Sequence, residues 1–150
     1  MLELSGDLWK LHDDGAVVAI TTGGAVSRSG RAALPRGCAQ EANQRFPQLA
    51  TILGGLIQQH GNHVFDLGER LVSFPVEHTP WEHPDPALIE RSCRELVQLA
   101  TTNGWLQVIV PRPGCGTGGL SWRDVRPLLH KYFDDRFTVI NKEGDSHATG

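Results

Sequence analysis

The hydrophobic positions of this chain follow two patterns: short continuous apolar runs, and longer stretches in which apolar residues recur at helical spacing. Runs at 16–20 and 106–110 have the length of buried strands. Shorter runs predict further strands at 8–11, 63–67, 71–74 and 137–140. Two of these, 63–67 and 71–74, are separated by the spacing of a hairpin. The pattern therefore predicts six strands, several of them buried.

Helical signals fall between these runs. The clearest predicts a helix over 86–103, with Asp85 as N-cap, Pro86 at the first helical position and Gly104 after the last. Similar spacing predicts helices over 37–46 and 48–60.

The last predicted helix starts at Ser121, which together with Asp124 has the spacing of a capping box, and runs to about residue 132. Strands that alternate with helices are typical of an α/β layered sandwich, with the strand order left open. No repeat or linker divides the chain, so we expect one domain over 1–140 and a polar tail over 141–150.

Composition narrows the possible partners. The 150 residues include 17 acidic and 14 basic side chains, a formal charge of −3 without a basic stripe, so non-specific nucleic-acid binding is not expected. The three cysteines form no C-x-x-C, and the histidines near residue 80 lack metal-ligand spacing; we expect no metal, no cofactor and a cytoplasmic location. No apolar run approaches the roughly 18 residues of a membrane span, so no membrane association is expected.

Two glycine-rich loops, 21–31 and 111–120, follow the two buried strands. Loops at the carboxyl ends of strands bind ligands in open α/β sheets, and glycines let backbone N–H groups approach an anion. The loops thus predict a phosphate or diphosphate site, unless the glycines only form tight turns. Residues 114–119 fit G-x-G-x-x-G, but no second half of a dinucleotide fold can follow, and no Walker A lysine closes either loop.

Side chains near these loops leave alternatives open. Cys115 is a conceivable nucleophile or a small apolar packing residue. Arg28, Arg31 and Arg36 either meet a phosphate or are solvated.

Several segments together resemble a macro domain, from about Gly6 to Ile140. They are Gly6-Asp7-Leu8, Arg36-Gly37-Cys38-Ala39, the strand from Leu71 to Val76, Pro111-Arg112-Pro113-Gly114-Cys115-Gly116 and Gly119-Leu120-Ser121-Trp122. The resemblance is greatest to the branch that removes ADP-ribose through a lysine nucleophile, and to its bacterial relatives. It implies a three-layer α/β/α sandwich with a mixed sheet of about six strands, with ADP-ribose bound across its crest.

The resemblance also implies roles for individual residues. Asp7 would accept a hydrogen bond from the adenine amino group, with the Leu8 backbone beside it. The helix that starts with Gly37, Cys38 and Ala39 would meet the diphosphate and distal ribose. Many macro domains carry an asparagine in the first loop for the distal ribose, whereas this chain has Thr21-Thr22-Gly23-Gly24, of which Thr22 is the candidate ligand-binding residue. The second loop would enclose the diphosphate with Gly114, Cys115, Gly116, Thr117, Gly118 and Gly119.

Two departures from the family limit the chemistry. The nucleophilic lysine would fall at Glu77 and the assisting aspartate at Gly118, so the covalent lysine mechanism is unavailable. Glu77 is the catalytic candidate, because a carboxylate near the anomeric carbon would stabilise an oxocarbenium-like state or activate water. The alternative is a solvated side chain at a strand end.

Three functions follow from these observations. The first is hydrolysis of the bond between ADP-ribose and a modified macromolecule, protein or nucleic acid. The second is a non-catalytic reader of ADP-ribose, which the lost lysine and aspartate favour. Outside the family, a nicotinamide-dependent oxidoreductase stays possible.

Overall fold

Strands and helices alternate through residues 1–117 and 119–142, the parts of the chain that the computed structural model describes. Their order is β1 (Leu2–Gly6), α1 (Leu8–Asp13), β2 (Val17–Thr22), α2 (Gly37–Arg45), α3 (Leu49–His60), β3 (Asp66–Gly68), β4 (Leu71–Pro75), α4 (Pro86–Asn103), β5 (Val108–Pro111), α5 (Trp122–His130) and β6 (Phe137–Lys142).

The strands form one six-stranded sheet in the order β1-β6-β5-β2-β4-β3. Every neighbouring pair is parallel except β3 with β4, which is antiparallel. The sheet is therefore mixed, as the resemblance implied. Because the other five strands run in one direction, their carboxyl ends meet at one edge of the sheet.

Helices cover both faces of this sheet. Val17 and Ala19 of β2 pack in a core shared with α4 and α5, whereas Val18 and Ile20 pack in a second core shared with α1, α2 and α3. Successive residues of a strand point to opposite faces, so a strand covered on both sides must be apolar throughout. The predicted three-layer α/β/α sandwich is confirmed.

The helix signals in the sequence correspond to real caps. The Asp85 carboxylate accepts a hydrogen bond from the Ala87 N–H at 2.9 Å, and Gly104 ends α4 in the left-handed conformation. The helices predicted over 37–46 and 48–60 are confirmed as α2 and α3, and the hairpin is confirmed as β3 and β4.

The first strand was predicted in the wrong place. Residues 8–11 belong to α1, because the Asp7 carboxylate accepts from the Trp9 N–H at 2.9 Å and caps that helix. The strand at this end is β1, which lies at the sheet edge beside β6. Its Leu2 and Leu4 are 49% and 46% exposed, so burial does not produce the apolar run that marks β2 and β5.

Two further expectations need correction near the end of the chain. Ser121 precedes α5 but makes no capping-box hydrogen bond with its side chain; its backbone carbonyl accepts from the Asp124 N–H at 3.0 Å. Strand β6 extends to Lys142, two residues into the predicted polar tail, because residues 141 and 142 pair with Ser5 and Gly6. The remainder of that tail, 143–150, lies outside the described residues.

Across residues 1–117 and 119–142, no helix is long and apolar enough to cross a membrane.

Candidate functional site

A cleft of about 730 Å³ opens at the edge of the sheet where the parallel strands end. The first glycine loop, the start of α2, the segment after β4, the second glycine loop and the end of β6 form its walls. This location is the one at which open α/β sheets bind ligands.

The structure brings most of the predicted site residues together in this cleft. Those that line it are Thr22, Gly37, Cys38, Ala39, Glu77, Gly114, Cys115, Gly116, Thr117 and Gly119. Gly118 lies outside the described residues. Asp7 and Leu8 are not among the lining residues; Asp7 directly follows Gly6, whose strand partner Lys142 does line the cleft.

The start of α2 supplies backbone donors to one wall. Arg36 is its N-cap residue and makes no side-chain cap, so the first-turn N–H groups of α2 need other acceptors. A Cβ built on Gly37 would meet nothing within 4 Å. This helix end is therefore open toward the cleft that Gly37 lines.

The second glycine loop is a tight turn that also forms a wall of the cleft. Its closing hydrogen bonds run from the Leu120 N–H to the Gly114 carbonyl at 2.7 Å and from the Gly119 N–H to the Gly116 carbonyl at 2.8 Å. Gly114 has φ +73°, a conformation that L side chains rarely adopt. A Cβ on Gly119 would lie 2.3 Å from the Gly114 oxygen, so only glycine fits there. The glycines of this loop therefore form a tight turn, and the same turn also lines the cleft.

Glu77 lies in the segment after β4 and is buried, with 8% of its surface exposed. The alternative of a solvated strand-end residue is therefore wrong. Burial raises the pKa of the Glu77 carboxyl, Glu82 raises it further, and the guanidinium of Arg36 opposes both. The structure thus holds a carboxylate in the cleft whose proton is bound more tightly than in water.

Arg36 crosses the cleft to reach this carboxylate. Its Nη2 donates to Glu77 Oε1 and Oε2 at 3.3 and 3.2 Å and to the Pro80 carbonyl at 3.4 Å. The sequence does not distinguish Arg36 from Arg28 and Arg31, but of these three only Arg36 lines the cleft, and Arg31 instead donates to Thr51. No local signal distinguishes the three, because the pairing joins residues 41 apart in sequence.

The cysteines of the cleft are poorly suited to nucleophilic chemistry. Burial raises the pKa of Cys115 to about 11, and burial also raises the pKa of Cys38, whose Sγ lies 3.5 Å from Thr21 Oγ1. Their raised pKa values keep both thiols protonated at neutral pH, and the protonated thiol is not the reactive form. The packing interpretation of Cys115 is favoured.

Several other residues of the cleft are not predicted by the sequence. Asn141 and Lys142 line it at the end of β6, and Trp81 lines its mouth with 86% of its surface exposed. The position of the last strand beside β5 would have indicated the first two, but that order is not encoded locally. Within the described ranges, no group of three or more His, Cys, Asp or Glu residues is arranged to hold a metal ion.

Comparisons with known proteins establish the fold. No family model matches the sequence, and no curated protein matches it. The macrodomain of Mycobacterium tuberculosis DarG is similar in structure, with a TM-score of 0.77 and 23% identity over 93% of this chain and 96% of that one.

Two further solved structures are similar to this chain. The macrodomain of Thermus aquaticus DarG has a TM-score of 0.76 and 16% identity over 93% of this chain and 95% of that one. Thermosipho africanus DarTG, solved in complex with ADP-ribose, has a TM-score of 0.75 and 17% identity over 98% of this chain and 43% of that one. The chain has the macrodomain fold, which confirms the resemblance; the branch remains a prediction.

Proposed function

We propose that this protein binds ADP-ribose in the cleft and hydrolyses the bond between ADP-ribose and a modified macromolecule. The observation that carries the proposal is the buried Glu77 carboxylate, paired with Arg36 between the two glycine-rich walls of the cleft. A general base for water needs a carboxyl whose pKa is raised toward the working pH, and burial supplies that shift.

Three observations support ADP-ribose as the ligand. A structural neighbour with the same fold was solved with ADP-ribose bound. The cleft volume, about 730 Å³, falls in the usual range for small-molecule sites. The start of α2 and the glycine turn at 114–119 line the same cleft, and the first-turn N–H groups of α2 are the kind of backbone donor that a diphosphate prefers.

Other parts of the ligand then have proposed partners. We assign the distal ribose to the side of Thr22, whose buried Oγ1 has no hydrogen-bond partner within the described ranges and would be satisfied by a ribose hydroxyl. We assign the adenine to the neighbourhood of Asp7 and Leu8, beyond the end of β6.

In the proposed reaction, the ionised Glu77 carboxylate accepts a proton from a water molecule. The water oxygen forms a bond to the anomeric carbon while the bond from that carbon to the macromolecule breaks, and the electron pair leaves with the macromolecule. Positive charge that develops on the sugar is stabilised by the same carboxylate. Arg36 opposes protonation of the carboxylate and orients it through its hydrogen bonds until the substrate is bound.

The second candidate is a non-catalytic reader, favoured by the absence of the lysine and aspartate of the related branch. Incubation with ADP-ribosylated protein and, separately, with ADP-ribosylated DNA distinguishes the two. Release of free ADP-ribose from either substrate is the expected result. Tight binding of ADP-ribose without release would establish the reader.

Calorimetry should find one ADP-ribose bound per chain, and weaker binding of NAD. NAD carries its nicotinamide on the distal ribose, so this ring would have to fit into the part of the cleft near Thr22 that we assign to that ribose. Tighter binding of NAD would contradict the proposal and favour a nicotinamide-dependent enzyme.

Asp7→Ala should lower ADP-ribose affinity about tenfold, because a charged acceptor of the adenine amino group is lost. Asp7 also caps α1, so Asp7→Asn is the matched variant: asparagine retains the cap but replaces the carboxylate. We expect Asp7→Asn to unfold at the wild-type temperature and still lose affinity for ADP-ribose and AMP. Unchanged affinity for both would leave Asp7 with its capping role alone.

Gly119→Ala should lower ADP-ribose affinity about tenfold and also reduce Tm, because the new methyl group must displace the Gly114 carbonyl and open the turn. Gly116→Ala is the control in the same loop, since a Cβ there meets nothing within 4 Å. Its Tm should equal that of the wild type. If Gly119→Ala matches the wild type in both measurements, the turn is not required for binding.

A further inference from the structure

Asn62 lies outside the cleft and joins two segments that form its walls. Its side-chain Nδ2 donates to the Glu77 carbonyl at 3.1 Å. The same carboxamide packs on Gly24 so closely that a Cβ on Gly24 would lie 3.0 Å from both Cγ and Nδ2 of Asn62. The Gly24 N–H in turn donates to the His78 carbonyl at 3.0 Å. Asn62 therefore contacts the backbone of the first loop and the backbone of the segment that carries Glu77.

Asn62 is itself held in place from α4. Arg91 Nη2 donates to the Asn62 carbonyl, and Arg91 Nε is 3.5 Å from Glu95 Oε2. The Glu95 carboxylate also accepts from the Val64 N–H at 2.9 Å and lies 2.8 Å from His63 Nδ1. These contacts hold the Asn62 carbonyl and the two residues that follow it, so the backbone that carries the Asn62 amide is fastened to α4.

The segment after β4 needs such support. The last backbone bond from this segment to the sheet runs from the Val76 N–H to the Thr22 carbonyl at 2.9 Å. At Glu77, the next residue, the backbone carbonyl bonds instead to Asn62. The position of the Glu77 carboxylate therefore depends on how this backbone is held as well as on Arg36.

We propose that Asn62 is a positioning residue that sets the place of the Glu77 carboxylate in the cleft. The inference rests on the proposed function of Glu77. Asn62 is not among the cleft-lining residues, so its effect on a bound ligand must pass through Glu77 and the first loop. A misplacement of about 1 Å in a catalytic group is enough to cost an enzyme much of its rate.

The test compares Asn62→Ala with Asn62→Asp, which keeps the shape but loses the donor. Both should lower the rate of ADP-ribose release about tenfold. Affinity for ADP-ribose should stay within about threefold of the wild type, since the lost interaction matters mainly in the transition state. Asn103→Asp is the control, because Asn103 Nδ2 donates to the Leu99 carbonyl on the exposed end of α4.

A second readout does not require catalysis. Titration of the Glu77 carboxyl carbon by NMR should show a changed midpoint in Asn62→Ala, because a carboxylate that moves changes its distance from the charges already near it, Arg36 and Glu82. Asn103→Asp should titrate like the wild type. If neither the wild type nor any variant releases ADP-ribose, the proposed hydrolysis is wrong. The titration still tests whether Asn62 positions the Glu77 carboxylate.

Gly24→Ala provides the reciprocal test, since its methyl group would displace the Asn62 amide. It should reproduce the rate loss of Asn62→Ala, and the loss should not increase when Gly24→Ala is added to Asn62→Gly, which removes the atoms in conflict. Wild-type rates and wild-type Glu77 titration in Asn62→Ala and Asn62→Asp would overturn the inference. Additive losses in the double variant would overturn it as well.

Discussion

Glu77→Gln is expected to lower the rate of ADP-ribose release about a hundredfold, while ADP-ribose affinity barely changes. Glutamine has the size of glutamate and offers Arg36 a carbonyl oxygen, so the cleft wall should be retained. It cannot accept a proton from water, nor stabilise positive charge on the sugar. A loss confined to turnover is the mark of an interaction made mainly in the transition state.

The pH dependence follows from the raised pKa of Glu77. The protonated carboxyl cannot act as a base, so the wild-type rate should fall as pH drops through that raised pKa. The same shift means that ionisation of Glu77 disfavours the folded state as pH rises through the unfolded and then the folded pKa. Glu77→Gln stays neutral, so it should be no less stable than the wild type at neutral pH, which thermal unfolding checks.

Glu82→Gln is the matched control, since Glu82 also lines the cleft but is exposed. At a pH well above the pKa of Glu77, which Glu82 helps to raise, it should release ADP-ribose at close to the wild-type rate. If Glu77→Gln releases ADP-ribose as fast as the wild type, Glu77 takes no part in the reaction. Water oriented by the diphosphate of the ligand then becomes the better mechanism.

Gly54→Ala is expected to lower the free energy of unfolding by about 3 kcal/mol, at the upper end of the cost of overpacking. Its Cβ would lie 2.0 Å from the Gly30 oxygen and 3.0 Å from the Ala32 nitrogen. The first is a backbone atom of the first loop and the second belongs to the residue that directly follows it; the Ala32 N–H donates to the Ala50 carbonyl of α3 at 2.8 Å. The backbone cannot rotate away as a side chain would, so the loop or the helix must move.

The neighbouring glycine of α3 gives the opposite expectation. A Cβ on Gly55 would meet nothing within 4 Å, and alanine in a helix interior is more stable than glycine by about 0.5–1 kcal/mol. Denaturant unfolding of Gly54→Ala and Gly55→Ala should therefore shift in opposite directions. Equal shifts would show that helix propensity, and not contact with the first loop, controls both positions.

Local signals predicted those parts of the fold whose causes are neighbours in sequence. Asp85, Pro86 and Gly104 set both ends of α4, because caps and stops act within a few residues. The glycines at 114–119 predicted a tight loop for the same reason. The hydrophobic pattern did not predict strand β1, because Leu2 and Leu4 of this strand are exposed and a continuous apolar run marks a strand only when both faces are buried.

The sequence by itself determined the alternation of strands and helices and the two glycine loops after buried strands. Only the tertiary structure decided that Arg36 faces Glu77, that Asn62 donates to the Glu77 carbonyl, and that Lys142 reaches the cleft beside Gly6. Parallel strand pairs bring Arg36 to Glu77 and Lys142 to Gly6, whereas Asn62 and Glu77 flank the antiparallel pair of β3 and β4. Hydrophobic periodicity records which face of an element is buried, but it carries no information about which distant element covers that face.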